Sequence, residues 1–336
     1  MELINSFNNV DQFKLLNDRL FIFGENRMRI YKLQGDFDFV LHKDYEIPYS
    51  RFTINHLGTY LTWSGLYRFN LNKDEFEDQM AQPFTPTGLR YSNSEWLVYL
   101  EDEDLQYFCF NPNTQKVRKL NTFFSNSKPV FIQKDIVILR SVDSIYGQKE
   151  NRIIWEYRLT HKSDYINILG EKTQGSITDI AVSDDFLYVL AGNTLVQLAI
   201  STGQVVWETR EVSKFKNIQV IKGEILLTSN FDKFKWINST SGEPLTNELV
   251  FDNIIFKDGT KVLAHPRRKP IVLSETIFAM INENGKNCVA QFSSKQGNLI
   301  DFVELDNNTC VEDFQFSKKR SFGLCVLRSN KLYQFR

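Results

Sequence analysis

Short apolar runs, each broken by a polar turn, recur along the whole chain, and this recurrence limits the fold more than any other feature. Phe186-Leu187-Tyr188-Val189-Leu190 is followed by Ala191-Gly192-Asn193, then by Thr194-Leu195-Val196-Gln197-Leu198-Ala199-Ile200. Ser201-Thr202-Gly203 breaks that run, and Gln204-Val205-Val206-Trp207-Glu208 comes next. Runs rich in β-branched and aromatic residues, joined by turns of Gly and Asn, are the pattern of strands and hairpins. No stretch sets apolar residues at three-to-four spacing over the ~11 residues that an amphipathic helix needs.

The same unit returns at residues 20–23 with 28–33, 60–63 with 66–71, 96–100 with 105–110, and 136–139 with 152–157. It returns again at 187–198, 224–227 with 234–237, 276–281 with 288–292, and 322–327 with 331–335. A period of ~40 residues with about four strands is the mark of a propeller blade. The expected fold is therefore all-β: one β-propeller domain over residues 1–336, with about eight (alternatively seven) four-stranded blades. The last unit is short by one strand. Glu2-Leu3-Ile4-Asn5-Ser6-Phe7 can supply it, so that N- and C-terminal strands close the ring and remove two exposed edges. The alternative is a disordered N-terminal tail.

The fifth unit carries a resemblance. Leu187-Tyr188-Val189, then Leu195-Val196-Gln197-Leu198, then Ser201-Thr202-Gly203-Gln204-Val205-Val206-Trp207 resembles the PQQ-like (quinoprotein-type) repeat, although Ile200 stands where that family often has Asp. Weaker echoes lie at 110–116, 238–243 and 293–298, each expected as the tight turn between third and fourth strands. Trp155 and Trp207 are expected in equivalent blade positions, packing against neighbouring blades as core anchors. The resemblance implies the scaffold only. Quinoprotein dehydrogenases carry an adjacent cysteine pair, and none of Cys109, Cys288, Cys310 and Cys325 are neighbours, so no quinone or other cofactor is expected. WD40 repeats fit less well: no Trp is followed by Asp, and no Gly-His pair occurs.

Composition excludes several classes. With 40 basic and 41 acidic residues the net charge is −1, which argues against a broadly basic nucleic-acid surface. No apolar run is long enough to cross a bilayer as a helix, and the first residues lack a signal-peptide pattern, so a cytoplasmic, membrane-free protein with reduced thiols is expected. The four histidines, His42, His56, His161 and His265, are scattered, and no metal site is expected. No nucleophile elbow, P-loop or dinucleotide fingerprint is present, so no catalytic residue is assigned. Asp184-Asp185 reads as a turn.

What remains are loops. Glu101-Asp102-Glu103-Asp104 lies in a hairpin, residues 142–151 with Tyr146 lengthen a hairpin of the fourth unit, and residues 255–275 lengthen the approach to the seventh. The last segment holds Arg267-Arg268-Lys269 between Pro266 and Pro270, and Lys318-Lys319-Arg320 is a further basic tip. As solvated tips these charges keep strand edges from pairing; as an interaction surface, Glu101, Asp102, Glu103, Asp104, Tyr146, Arg267, Arg268 and Lys269 are the candidate partner contacts. The expected function is that of a non-catalytic scaffold, monomeric on its own, that binds a protein partner through its loops. An intracellular immunity protein neutralising a toxin and a subunit of a cytoplasmic complex both fit. The alternative is an enzyme or binding protein acting on a sugar or other small molecule in the central funnel.

Overall fold

A computed structural model describes residues 2–335 except 17, 36, 47–51, 55–58, 63–64, 71–72, 81–84, 91–94, 102–104, 112–113, 115, 121–126, 151, 168, 230–231, 265–268, 274, 284, 306–310, 318–321 and 328–330. Strand β1 is Leu3–Phe7. Next come β2–β5 (Gln12–Leu16, Arg19–Gly24, Arg27–Gln34, Asp38–Glu46), β6–β9 (Phe52–Ile54, Thr59–Thr62, Gly65–Asn70, Glu75–Met80) and β10–β13 (Thr85–Arg90, Trp96–Glu101, Leu105–Phe110, Val117–Leu120). After β14–β17 (Lys128–Gln133, Ile136–Arg140, Ser144–Lys149, Arg152–Arg158) the chain makes a 3-10 turn (His161–Ser163) and a ribbon, β18 (Tyr165–Ile166) with β19 (Lys172–Thr173). Then follow β20–β23 (Ile177–Ser183, Phe186–Ala191, Thr194–Ala199, Val205–Arg210) and β24–β27 (Phe215–Ile221, Glu224–Ser229, Lys233–Asn238, Leu249–Val250). A second ribbon, β28 (Ile254–Ile255) with β29 (Lys261–Val262), leads to β30–β33 (Ile271–Leu273, Thr276–Glu283, Lys286–Ser293, Leu299–Leu305) and to β34–β36 (Val311–Ser317, Phe322–Leu327, Lys331–Phe335).

The fold is an all-β propeller, and one expectation is corrected. Six blades of four consecutive antiparallel strands have side-chain packing described in at least three of their strands: β2–β5, β10–β13, β14–β17, β20–β23, β24–β27 and β30–β33. The sequence-based picture of about eight, or seven, like blades does not hold as an even series. In β6–β9 little beyond backbone pairing and the β8–β9 turn is described, and the last sheet is a composite in which β1 pairs β36 beside β35 and β34. Gln315 ties that composite to the first blade, accepting from the Leu15 amide at 3.0 Å.

Second strands such as β15 and β21 read as near-continuous apolar runs because both of their faces are covered by neighbouring sheets. In β21, Leu187, Val189 and Ala191 pack towards β14–β17, while Tyr188 and Leu190 pack towards β24–β27. Fourth strands are more exposed, as in β17, whose residues alternate between exposed and covered.

Three turns between third and fourth strands share one geometry. The Gly203, Gly242 and Gly297 amides donate to the Ala199, Asn238 and Ser293 carbonyls at 2.8, 2.9 and 2.9 Å. All three glycines have positive φ, and a side chain on Gly203 would meet Trp155 at 2.6 Å. Each turn also receives an indole from another blade. Trp155 donates to the Ile200 carbonyl at 2.7 Å, Trp207 to Ser239 at 3.1 Å, and Trp236 to Ser294 at 2.7 Å. Trp155 and Trp207 thus occupy the equivalent positions expected of them. In the third case β27 has only two residues, and a tryptophan of the third strand takes over.

The expected extension at 142–151 is corrected: residues 144–149 are strand β16 itself. Gly147, which reads as a loop residue, is in the strand because the Trp155 ring lies against its backbone; a Cβ there would sit 2.1 Å from the indole. Tyr146 is consequently buried. It packs with Leu97, Cys109 and Leu139 in the seam between β10–β13 and β14–β17, away from any loop tip.

Asp74, buried in the β8–β9 turn, clasps the blade β2–β5. Its carboxylate pairs with Arg19 Nε at 2.7 Å, Lys32 Nζ at 2.8 Å and His42 Nε2 at 3.1 Å, and its carbonyl accepts from the Tyr45 hydroxyl. Burial opposes the charge on Asp74, but Lys32 and Arg19 outweigh it and hold the carboxyl below its usual range.

Candidate interaction face

Within each blade the strands run alternately up and down. The second turn therefore lies at the same end as the connection to the next sheet, and the first and third turns lie at the other. Both ribbons are such connections, β18–β19 between β17 and β20, and β28–β29 between β27 and β30. They share one face with the β15–β16 and β21–β22 turns. Hydrogen bonds fix the first: the Asn193 amide donates to Ser163 at 2.9 Å, Gly192 to Ser176 at 3.1 Å, and Ile177 to Val142 at 3.0 Å.

The second ribbon is built by alternation. Ile254, Phe256, Val262 and Ala264 are buried in the core between β24–β27 and β30–β33, while Ile255 and Leu263 point outward. Its tip is held from below. The Lys257 amide donates to Glu304 at 3.0 Å, and Asp258 pairs with Lys286. Lys286 and the Thr260 amide pull the Asp258 carboxyl down to about 2, so it stays charged at any working pH.

The four most exposed large apolar side chains of the described residues all sit on this face: Leu169 at 76%, Val142 at 73%, Ile166 at 64% and Ile255 at 63%. Other exposed apolar residues are less open and lie mainly on rim strands, such as Val40 and Leu41 on β5 and Val205 and Val206 on β23. Single exposed apolar side chains are ordinary on any protein; several on ordered backbone at one end of the blades make this face the candidate contact surface.

The sequence-based candidates divide. Glu101 ends β11, but its side chain and residues Asp102, Glu103 and Asp104 lie outside the described residues, as do Arg267 and Arg268 and the tip Lys318-Lys319-Arg320. Lys269 is described and reaches inward to Asp179 on β20, Nζ to Oδ2 at 2.8 Å. The same Oδ2 accepts from the Ile218 amide at 2.9 Å. Asp179 thus joins the first strands β20 and β24 and holds Lys269; an exposed pair of this kind positions more than it stabilises. Arg140 reaches the same region, donating to the Ile177 carbonyl. Tyr146 is in the interior. Among the described residues no group of three or more His, Cys, Asp or Glu is arranged to hold a metal ion.

Sequence reasoning missed the first ribbon. Its signal was the stretch 158–176 between the fourth and fifth units, too long for a connection between adjacent blades.

No protein-family model matches the chain, and no curated protein matches it. Solved structures do. The computationally designed Ika8 protein is 12% identical, with 98% of this chain and 96% of that one covered and a TM-score of 0.63. BamB from Moraxella catarrhalis is 13% identical over 99% and 96%, TM-score 0.61, and Sqt1 of Saccharomyces cerevisiae 10% identical over 99% and 98%, TM-score 0.64. The likeness is one of fold, that of a β-propeller.

Proposed function

We propose that the protein is a non-catalytic scaffold that binds a protein partner through the face carrying the two ribbons. The observation behind this reading is the gathering of Val142, Ile166, Leu169 and Ile255 at one end of the blades. Covering a fully exposed Ile or Leu contributes about 1.5–3 kcal/mol, enough for two or three such residues to anchor an interface. A rigid ring presents them at little ordering cost, because the ribbons are already tied to the blades. The Gly turns with docked indoles support reading the chain as a PQQ-like repeat propeller used as scaffold alone.

Affinity capture from the source cells tests the reading, with the wild-type chain and the double variant Ile166→Asp, Leu169→Asp compared at equal thermal stability. Wild type should retain one stoichiometric protein through moderate salt, and the variant should lose at least nine-tenths of it. Equal retention by the variant refutes this face, and no retained protein refutes the partner. Toxicity of the captured protein when expressed alone separates an immunity role from membership of a complex.

A further inference from the structure

The outward side of the second ribbon has a more specific chemistry than its neighbours. Ile255 lies directly across from Lys261 in the strand register, Leu263 follows two residues on, and Lys257 stands at the tip. All four are exposed, and they alternate with the buried set Ile254, Phe256, Val262 and Ala264. The single acid of residues 254–263 is Asp258, which Lys286 already neutralises. Among the described residues Lys257 and Lys261 carry no ion pair. The first ribbon repeats the motif in part, with exposed Ile166 across from Lys172, but there Asp164 stands 3.4 Å from the ammonium.

We propose that this side of the β28–β29 ribbon docks an extended acidic segment of a partner protein, with its carboxylates on Lys257 and Lys261 and its apolar side chains on Ile255 and Leu263. The inference rests on the scaffold reading above and names the chemistry of its partner. Two ammonium groups without an ion pair, although Glu304 stands at the Lys257 amide, beside two exposed aliphatic side chains are complementary to carboxylates interleaved with apolar residues. Residues two apart on a strand are about 7 Å apart, so a second extended chain carries matching side chains at the same interval. A nucleic-acid phosphate would use the lysines and leave Ile255 and Leu263 uncovered.

The test uses the full chain and a fluorescein-labelled peptide of alternating Glu and Leu, read by anisotropy at low and moderate salt. A Lys-Leu peptide and a single-stranded DNA oligonucleotide of equal charge magnitude serve as controls. The Glu-Leu peptide should bind, more weakly as salt rises. Lys257→Glu with Lys261→Glu should weaken it at least tenfold, Ile255→Ser severalfold, and Lys257→Arg with Lys261→Arg should restore it. No binding of the Glu-Leu peptide overturns the proposal, as does binding that ignores the charge reversal. Tighter binding of the oligonucleotide, unaffected by Ile255→Ser, overturns it in favour of nucleic acid. If capture succeeds and the peptide fails, only the acidic-segment inference falls. If the peptide binds and capture fails, the scaffold reading falls.

Discussion

Replacing Gly203 by Ala tests the indole-docked turn directly. The residue has φ +68°, and the added methyl would lie 2.6 Å from Trp155 Cδ2, inside any ordinary carbon contact. The ring cannot retreat. Its Nε1 is held by the Ile200 carbonyl at 2.7 Å, and its other side lies against the Gly147 backbone. Left-handed backbone strain costs about 1 kcal/mol at such a position. Overpacking adds about 1–3 kcal/mol, and a displaced indole loses a hydrogen bond of about 1 kcal/mol. The sum is about 3–5 kcal/mol. Gly259 is the internal control, with φ +83° and no atom within 4 Å of the added methyl, so Gly259→Ala should show the backbone cost alone, about 1 kcal/mol. Urea unfolding followed by tryptophan fluorescence and circular dichroism reads both. In a Trp155→Ala background the cost of Gly203→Ala should fall to the Gly259→Ala value, which gives a coupling of about 2 kcal/mol or more. If Gly203→Ala costs no more than Gly259→Ala in the wild-type background, the docked-turn argument is wrong.

Trp155→Ala should cost about 3–5 kcal/mol, whereas Trp207→Ala, whose ring is part exposed, should cost about 2–3 kcal/mol in the same assay. Asp74→Asn should destabilise by about 1–3 kcal/mol, because it leaves Arg19 and Lys32 facing a neutral group. The carboxyl of folded Asp74 sits below its ordinary 3.8, so its contribution is fully present above that value and is lost as pH falls through the folded pKa. The gap between wild type and Asp74→Asn should therefore be flat above about pH 5 and close in acid, read by unfolding at stepped pH. Burial raises the thiol of Cys109 to about 12 and that of Cys288 higher, so peptide mapping after iodoacetamide at pH 8 should find both unmodified until urea is added.

The parts legible in the sequence were those where one physical demand dominates. Strands covered on both faces, such as Phe186–Ala191, need only be apolar and β-prone, and they announce themselves. The Ser201-Thr202-Gly203 turn is visible because its backbone angle admits little but glycine. Residues 144–149 were misread because two demands conflict: the strand must give up a side chain at Gly147 so that Trp155 can lie flat, and the resulting Ser-Ile-Tyr-Gly-Gln has the composition of a loop. The even division into about eight units failed because period alone does not reveal insertions. Tyr165–Ile166 with Lys172–Thr173, and Ile254–Ile255 with Lys261–Val262, are inserted ribbons, and the second packs Ile254 and Val262 inward like strand residues while Ile255 and Lys261 face solvent. Lys269 was singled out for its charge, but only the fold reveals that Asp179 already holds it.

The composite sheet bears on how the ring is made. Leu3 pairs with Phe335, so nearly the whole chain separates the two partners. For a flexible chain, closing a loop of that length costs about 5 kcal/mol, which one short strand pair cannot offset alone. Once the intervening blades have stacked, the two strands already face each other and the same pairing is nearly free of that cost. Closure is therefore expected to follow the stacking of the other blades, since residues 331–335 must be synthesised before residues 3–7 can pair with them. Joining the ends by a short linker and opening the chain at a turn between two other blades would convert this late, long-range step into an ordinary hairpin.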